Sequence, residues 1–187
     1  VFAVAVAGLF ALPAAGLGQS PDPGDGIRGW VELGAGGGRV RLSGSPRETT
    51  FALDFGGGVW LGHRLGLGVR LGGWTIEGFD LLNAEEGESI SEVFAGLAFR
   101  PRPDLPLTLN VESGWAIYTV NDPARVLREG DGMGWRLAGA WSFFISERLA
   151  LSPSLVVSWG RINPNARSEG RFGYSGTGIL LRLDWAW

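Results

Sequence analysis

The chain has no cysteine, which excludes disulfides and thiolate metal sites. It has one histidine, His63, set beside Arg64. A Ser-His-acid site needs nucleophile, imidazole and carboxylate within hydrogen-bond reach, and nothing marks such a set around His63. There is no basic field either: 16 basic residues against 19 acidic give a formal net charge of −3, so nucleic acid is not expected as a partner. No apolar run reaches the roughly 20 residues that a membrane-spanning helix needs. The glycine-rich runs Gly34–Gly38 and Gly56–Gly58 precede no helical pattern and cannot cradle phosphate at a helix N-terminus.

What the chain does have is alternation. Eight segments, at about 29–39, 50–61, 66–77, 90–100, 107–118, 134–145, 149–160 and 174–187, carry apolar residues on every second position. Phe51, Leu53, Phe55, Val59 and Leu61 share one face of the second, opposite Thr50, Ala52, Asp54, Gly56 and Gly58. Leu107, Leu109, Val111, Trp115 and Ile117 do the same in the fifth, and Leu149, Leu151, Leu155, Val157 and Trp159 in the seventh. The first is the least patterned, because its glycines leave little to read. One face suited to lipid and one to a polar interior point to an all-β fold: a closed, antiparallel, up-and-down transmembrane barrel of eight strands. Glycine, at 32 residues, suits the curvature and crowded interior of a narrow barrel.

The connections agree with that reading. Gly62–Leu65, Pro101–Pro106 and Ser146–Arg148 are short, whereas Val40–Thr49, Gly78–Ser89, Thr119–Met133 and Arg161–Gly173 are long and polar. Outer-membrane barrels have short periplasmic turns and longer outside loops, and an even strand count puts both termini in the periplasm. Trp115, Trp135 and Trp159 then lie near the outer strand ends, and Phe99, Phe143, Trp185 and Trp187 near the periplasmic ends, as two aromatic girdles. A β-sandwich rich in Trp, or a soluble lipocalin-type barrel with the phase reversed, would also alternate; neither needs aromatics graded along its strands.

Glu32, Asp54, Arg70, Glu92, Glu112, Arg136, Arg182 and Asp184 fall on the face opposite the aliphatics. Mixed signs inside a narrow barrel imply paired charges that plug it, with Trp74, Phe94 and Tyr118 filling the rest; an ion path or gate is the functional alternative. Loss of Arg182 would leave a carboxylate underpaired, its partner not readable from sequence. In the long loops, Glu85-Glu86-Gly87-Glu88 lacks an ordered metal-ligand spacing and reads as solvated. Arg161, Arg167 and Arg171 could pair with lipopolysaccharide phosphates or simply be solvated. Phe79, Leu81, Leu82, Val126, Leu127, Ile162 and Phe172 either mark a contact surface for a host or surface ligand or pack together at the rim.

Residues 1–18 read as a secretory leader whose basic start and Met are missing: Val1–Leu12 is apolar and uncharged, and small residues follow. A transmembrane helix is the competing reading. Residues 19–28 are then a periplasmic lead-in, and 29–187 the barrel. Leader, eight alternating segments and the ending Leu183-Asp184-Trp185-Ala186-Trp187 together resemble the small outer-membrane barrels of the OmpA/OmpX type, as does the Pro-rich turn from Phe99 to Leu107. The resemblance implies a bacterial outer-membrane location among lipid and lipopolysaccharide, no cofactor, and a C-terminal segment (Leu183, Trp185, Trp187) read by the barrel-assembly machinery during insertion. Members more often end in Phe. The family's roles cover membrane integrity, adhesion and defence against host factors, and for this chain a structural or surface-interactive role through extracellular loops, without catalysis, is expected. A narrow solute channel and a membrane-embedded lipid-modifying enzyme are the alternatives; His63, on the periplasmic side, is misplaced for a deacylase acting in the outer leaflet.

Overall fold

The structure, a computed structural model, describes residues 27–77, 87–122, 125–165 and 170–187, without the side chains of 77 and 121–128. The leader over 1–18 and the lead-in up to residue 26 lie outside the described residues. The chain is all β: β1 (Ile27–Leu42), β2 (Arg47–Leu61), β3 (Leu65–Glu77), β4 (Gly87–Phe99), β5 (Leu107–Asp122), β6 (Arg125–Trp141), β7 (Phe143–Phe144), β8 (Leu149–Pro164) and β9 (Phe172–Ala186). Chain neighbours pair antiparallel except β6 and β7, β1 pairs with β9, and β8 pairs with both β6 and the two-residue β7. The two-residue β7 continues β6, so nine segments make eight staves and a closed barrel with no free edge.

Proline explains the break between β6 and β7. Pro153 has no N–H to give a ladder. Pairing of β6 with β8 stops at Ala140–Ser154 and resumes in β7 at Phe143–Leu151. The hydroxyls of Ser142 and Ser152 meet across the gap at 3.0 Å. At one end of the barrel lie Ile27, Trp187 and the short turns, called here the turn end. Gly62 turns there with φ 70°, a left-handed conformation that glycine adopts without strain. The other end carries the β1–β2, β3–β4, β5–β6 and β8–β9 connections and is called the hairpin end; Gly44, at φ 89°, turns the first of these.

The strands outrun the expected limits at the hairpin end. β1 and β2 continue to Leu42 and Arg47, so the expected ten-residue loop from Val40 to Thr49 is a tight hairpin. β5 and β6 run to Asp122 and Arg125, so most of the expected loop from Thr119 to Met133 is ladder. The reason is physical: spanning a bilayer takes roughly 9–11 tilted residues, and beyond that height the apolar alternation fades while backbone pairing continues. β1, despite its glycines, is paired along 13 residues or more with each neighbour.

The faces follow the pleat. Leu53, Phe55, Val69, Leu71, Val111, Leu155, Val157, Ile179 and Leu181 point outward as a continuous apolar band, with Leu155 67% exposed. The inward face is closely packed, and its glycines sit where large side chains cross. A Cβ on Gly38, Gly176 or Gly178 would stand 2.8–3.1 Å from the Trp74 ring, and one on Gly134 would meet the Phe94 ring at 2.9 Å.

Candidate functional site

Three layers fill the barrel. The middle one holds the eight expected charges, all on inward positions; Asp184 is half-buried and the others are buried. Asp54 on β2 is gripped by Arg136 on β6, the opposite stave: Nη1 donates to Oδ1 at 2.9 Å and Nη2 to Oδ2. Arg70 donates from Nε to both oxygens of Glu112 at 2.9 Å and reaches Glu32 through Nη1. Glu92 accepts from Tyr174 Oη at 3.1 Å. Arg182 is different. Its nearest carboxylate oxygens, on Glu32 and Asp54, are 3.6 and 3.8 Å away, and its Nε and Nη2 have no hydrogen-bond acceptor. Both carboxylates are already held by closer guanidiniums. Arg182 is thus a third and more distant cation for Glu32 and Asp54, the carboxylates its loss would leave less fully paired, while Arg70 and Arg136 make the close contacts of the layer.

Above it, toward the hairpin end, the interior is apolar rather than polar. Val40, Trp74, Ile76, Ile90, Val156, Ile162 and Leu180 pack there with Tyr174, and Leu42, Tyr118 and Phe172 lean against them. Trp74 Nε1 donates to Ser158 Oγ at 3.0 Å, so its one polar atom is satisfied. Tyr118 and Phe172 meet edge to face with ring centroids 5.1 Å apart. Two of the residues offered as loop contacts are thus interior: Ile162 is wholly buried and Phe172 packs on the core. Phe79, Leu81 and Leu82 lie outside the described residues, as do the side chains of Val126 and Leu127. Of the acidic run, residues 85 and 86 lie outside the description, and Glu88 accepts from Tyr118 Oη at 2.5 Å.

Below the charges, toward the turn end, the interior opens into a chamber of about 100 Å³. Sequence reasoning missed it. Its walls carry small side chains at one level, Ala98, Thr108, Ala140, Ser142 and Ala150, and it reaches the exposed turn residues Gly62, Glu147 and Arg148. Trp30 and Trp60 flank it. The Arg100 guanidinium lies over the Trp60 ring, 4.0 Å from its centroid. Burial holds the Arg100 guanidinium below its ordinary pKa, Asp184 opposes that shift and Arg28 adds to it. The available signal was register: once β1, β4, β5, β6 and β8 are aligned, the small inward residues fall together.

On the outside, Trp135 and Trp159 are direct cross-strand partners on β6 and β8. Trp115 is on the next stave, paired with Met133, and donates from Nε1 to Asp131 Oδ2 at 3.1 Å. Phe99, Phe143 and Trp185 lie outward at the turn end, with Trp141 as a further member. Trp187 exchanges backbone hydrogen bonds with Gly29 at 3.0 and 3.1 Å, and Leu183 pairs with Leu33, so the C-terminal residues form the seam that closes the barrel. Above the apolar band at the hairpin end, Arg39, Arg41, Arg47 and Arg161 are exposed; Arg41 and Arg47 are directly opposed on β1 and β2. Arg171 is exposed as well, and Arg167 lies outside the described residues. His63 is in the turn between β2 and β3, at the turn end. Among the described residues no cluster of His, Asp and Glu could hold a metal ion.

No family model and no curated protein sequence matches this chain. Solved structures do. Neisserial surface protein A superposes with a TM-score of 0.61 at 10% identity, over 84% of this chain and 97% of that one. Ail, the attachment invasion locus protein of Yersinia pestis, gives 0.53 at 11% identity, over 83% and 97%. The chain has the fold of the small, eight-stranded outer-membrane barrels.

Proposed function

We propose that this protein is a closed barrel of a bacterial outer membrane, with turn end and termini in the periplasm, and that it works through its outward hairpins, as a structural or surface-interacting protein without catalysis. The observation that carries the reading is the apolar plug of Trp74, Ile90, Ile162 and Leu180, buried side chains that pack together inside the barrel toward the hairpin end among the described residues. The outward band and its girdles are matched to lipid. The arginines above the band, Arg39, Arg41, Arg47 and Arg161, suit the phosphates of lipopolysaccharide; like charges placed directly opposite, as at Arg41 and Arg47, are unfavourable unless an anion lies between them. Insertion would call on the barrel-assembly machinery through Leu183, Trp185 and Trp187.

The test is electrical. Purified protein in a planar bilayer is expected to give no steady conductance, and size-selective steps would overturn the closed reading. Shortening the outer segments within 78–89, 119–133 and 161–173 is expected to abolish binding to cells, matrix or lipopolysaccharide. Unchanged binding would leave a passive scaffold. An unchanged lipid A mass on expression is expected of a protein that modifies no lipid.

A further inference from the structure

The turn-end chamber is more polar than its size requires. Arg182, 1% exposed, lines it; its Nη1 and Nη2 lie 3.6 and 3.8 Å from Glu32 and Asp54 of the charge layer, and its Nε has no acceptor. Trp30 Nε1, also in the wall, is buried without an acceptor, and Asp184 Oδ1 is buried without a donor. Asp184 Oδ2 already accepts from Ser152 Oγ. A buried donor left unmatched is costly, so such groups collect around something that satisfies them.

The charge of the wall says what that something is. Arg28, Arg100, Arg148 and Arg182 line the chamber against Glu32, Glu147 and Asp184, and Glu32 is already held by Arg70 from the layer above. By count the lining holds four guanidiniums and three carboxylates. Unmatched donors on Arg182 and Trp30 ask for acceptor oxygens, and the single unmatched acceptor on Asp184 asks for one hydroxyl or amide proton. Trp30 and Trp60 give flat apolar flanks. At about 100 Å³ the space is smaller than the ~150 Å³ cavity that takes benzene.

We infer that the chamber is a binding site for a small hydroxycarboxylate, whose carboxylate accepts from Arg182 and Trp30 while its hydroxyl donates to Asp184 Oδ1. Arg100 also lines the chamber, and its charge favours an anion. Delivery from the periplasm rests on the orientation proposed above; binding itself does not.

The experiment uses the full chain refolded in detergent micelles, with the indole Nε1–H of Trp30 and the Nε–H of Arg182 followed by NMR. Glycolate and lactate are expected to move both signals to saturation, leaving the outward Trp115 indole in place. Propionate, without the hydroxyl, is expected to bind at least tenfold more weakly by the loss of one hydrogen bond to a buried charge, about 1.4 kcal/mol for that factor, and 1,2-propanediol, without the carboxylate, not at all. Arg182→Met and Trp30→Phe should each remove saturation while the heat-dependent shift in electrophoretic mobility shows a folded barrel. No saturable change with glycolate, an equal response in folded Arg182→Met, or equal binding of propanediol would overturn the proposal and leave a water-filled chamber. Conductance reads the closed-barrel proposal separately, so either can fail alone.

Discussion

The Trp74 indole reaches from β3 across the lumen to Ser158 on β8, and the ring lies where β1 and β9 supply only glycine. A Cβ at Gly176 would be 2.9 Å from Trp74 Cε2 and 3.1 Å from Ser158 Oγ. The glycines of the inner wall are therefore the sockets of the plug. Gly176→Ala is expected to displace Trp74 and destabilise the barrel by about 1–3 kcal/mol, the usual range for overpacking. Gly139→Ala, whose nearest contact would be an ordinary 3.6 Å on the outer face, should leave stability nearly unchanged. Urea unfolding in lipid vesicles measures both, and equal losses would show that the sockets are not specific.

Arg136 and Arg182 look alike in sequence, buried inward arginines on neighbouring levels, but they hold different things. Arg136 makes the bidentate bond to Asp54, whereas Arg182 lies beyond hydrogen-bond reach of any carboxylate. Arg136→Met is expected to cost about 3–5 kcal/mol by removing the bidentate hydrogen-bond partner of buried Asp54. Arg182→Met should cost clearly less, because Glu32 and Asp54 keep Arg70 and Arg136. The comparison is read from the same denaturation curves; a larger loss for Arg182→Met would overturn this assignment of partners.

The barrel was legible because lipid and lumen impose opposite demands on successive residues. Phe51 to Leu61 and Leu149 to Trp159 follow that rule closely, with Trp60 and Val156 as apolar residues turned inward, and the charges facing them landed inside. Legibility failed where the rule weakens. Ile162, Phe172 and Val40 read as loop, because the interior near the hairpin end is itself apolar and both faces then carry hydrophobic side chains. Partners within the charge layer were not legible at all: Asp54 and Arg136 are 82 residues apart, and only closure of the barrel makes them opposite. The chamber depends on residues that are absent in bulk, Ala98, Ala140 and Ala150, whose common level appears only once the strands are registered.

Val157 and Ser158 sit on opposite faces of β8, the first exposed outward and the second wholly buried. Val157→Arg should cost roughly 2–4 kcal/mol if the residue is near the bilayer midplane. A spin label at 157 should be reached by lipid-soluble oxygen, and one at 158 should not. Preferential access at 158 would reverse the phase and favour a soluble barrel.

Arg39, Arg41 and Arg47 lie on one outer face above the apolar band, with Arg41 against Arg47 across the first hairpin. Changing all three to Gln is expected to reduce lipopolysaccharide carried through purification. Each exposed substitution should alter stability by no more than about 0.5 kcal/mol. Undiminished lipopolysaccharide would show that these guanidiniums are merely solvated.

The last residues serve two purposes that can be separated. Trp185 pairs with both Val31 and Leu149, and Trp187 closes the β1–β9 seam through backbone bonds to Gly29. Its ring also lies over Gly29, filling the space a side chain there would take. Deleting Trp185-Ala186-Trp187 removes the seam bonds and the terminal aromatics together, so it should impair insertion in cells more than refolding in detergent. Trp187→Ala keeps the backbone bonds and loses only the ring. If the ring is read by the assembly machinery, Trp187→Ala should refold in detergent nearly as the parent does yet accumulate poorly in the outer membrane. If instead the seam is all that matters, Trp187→Ala should insert normally and only the deletion should fail. Quantifying heat-modifiable protein in outer-membrane fractions decides between them, and normal levels for the deletion would refute both roles.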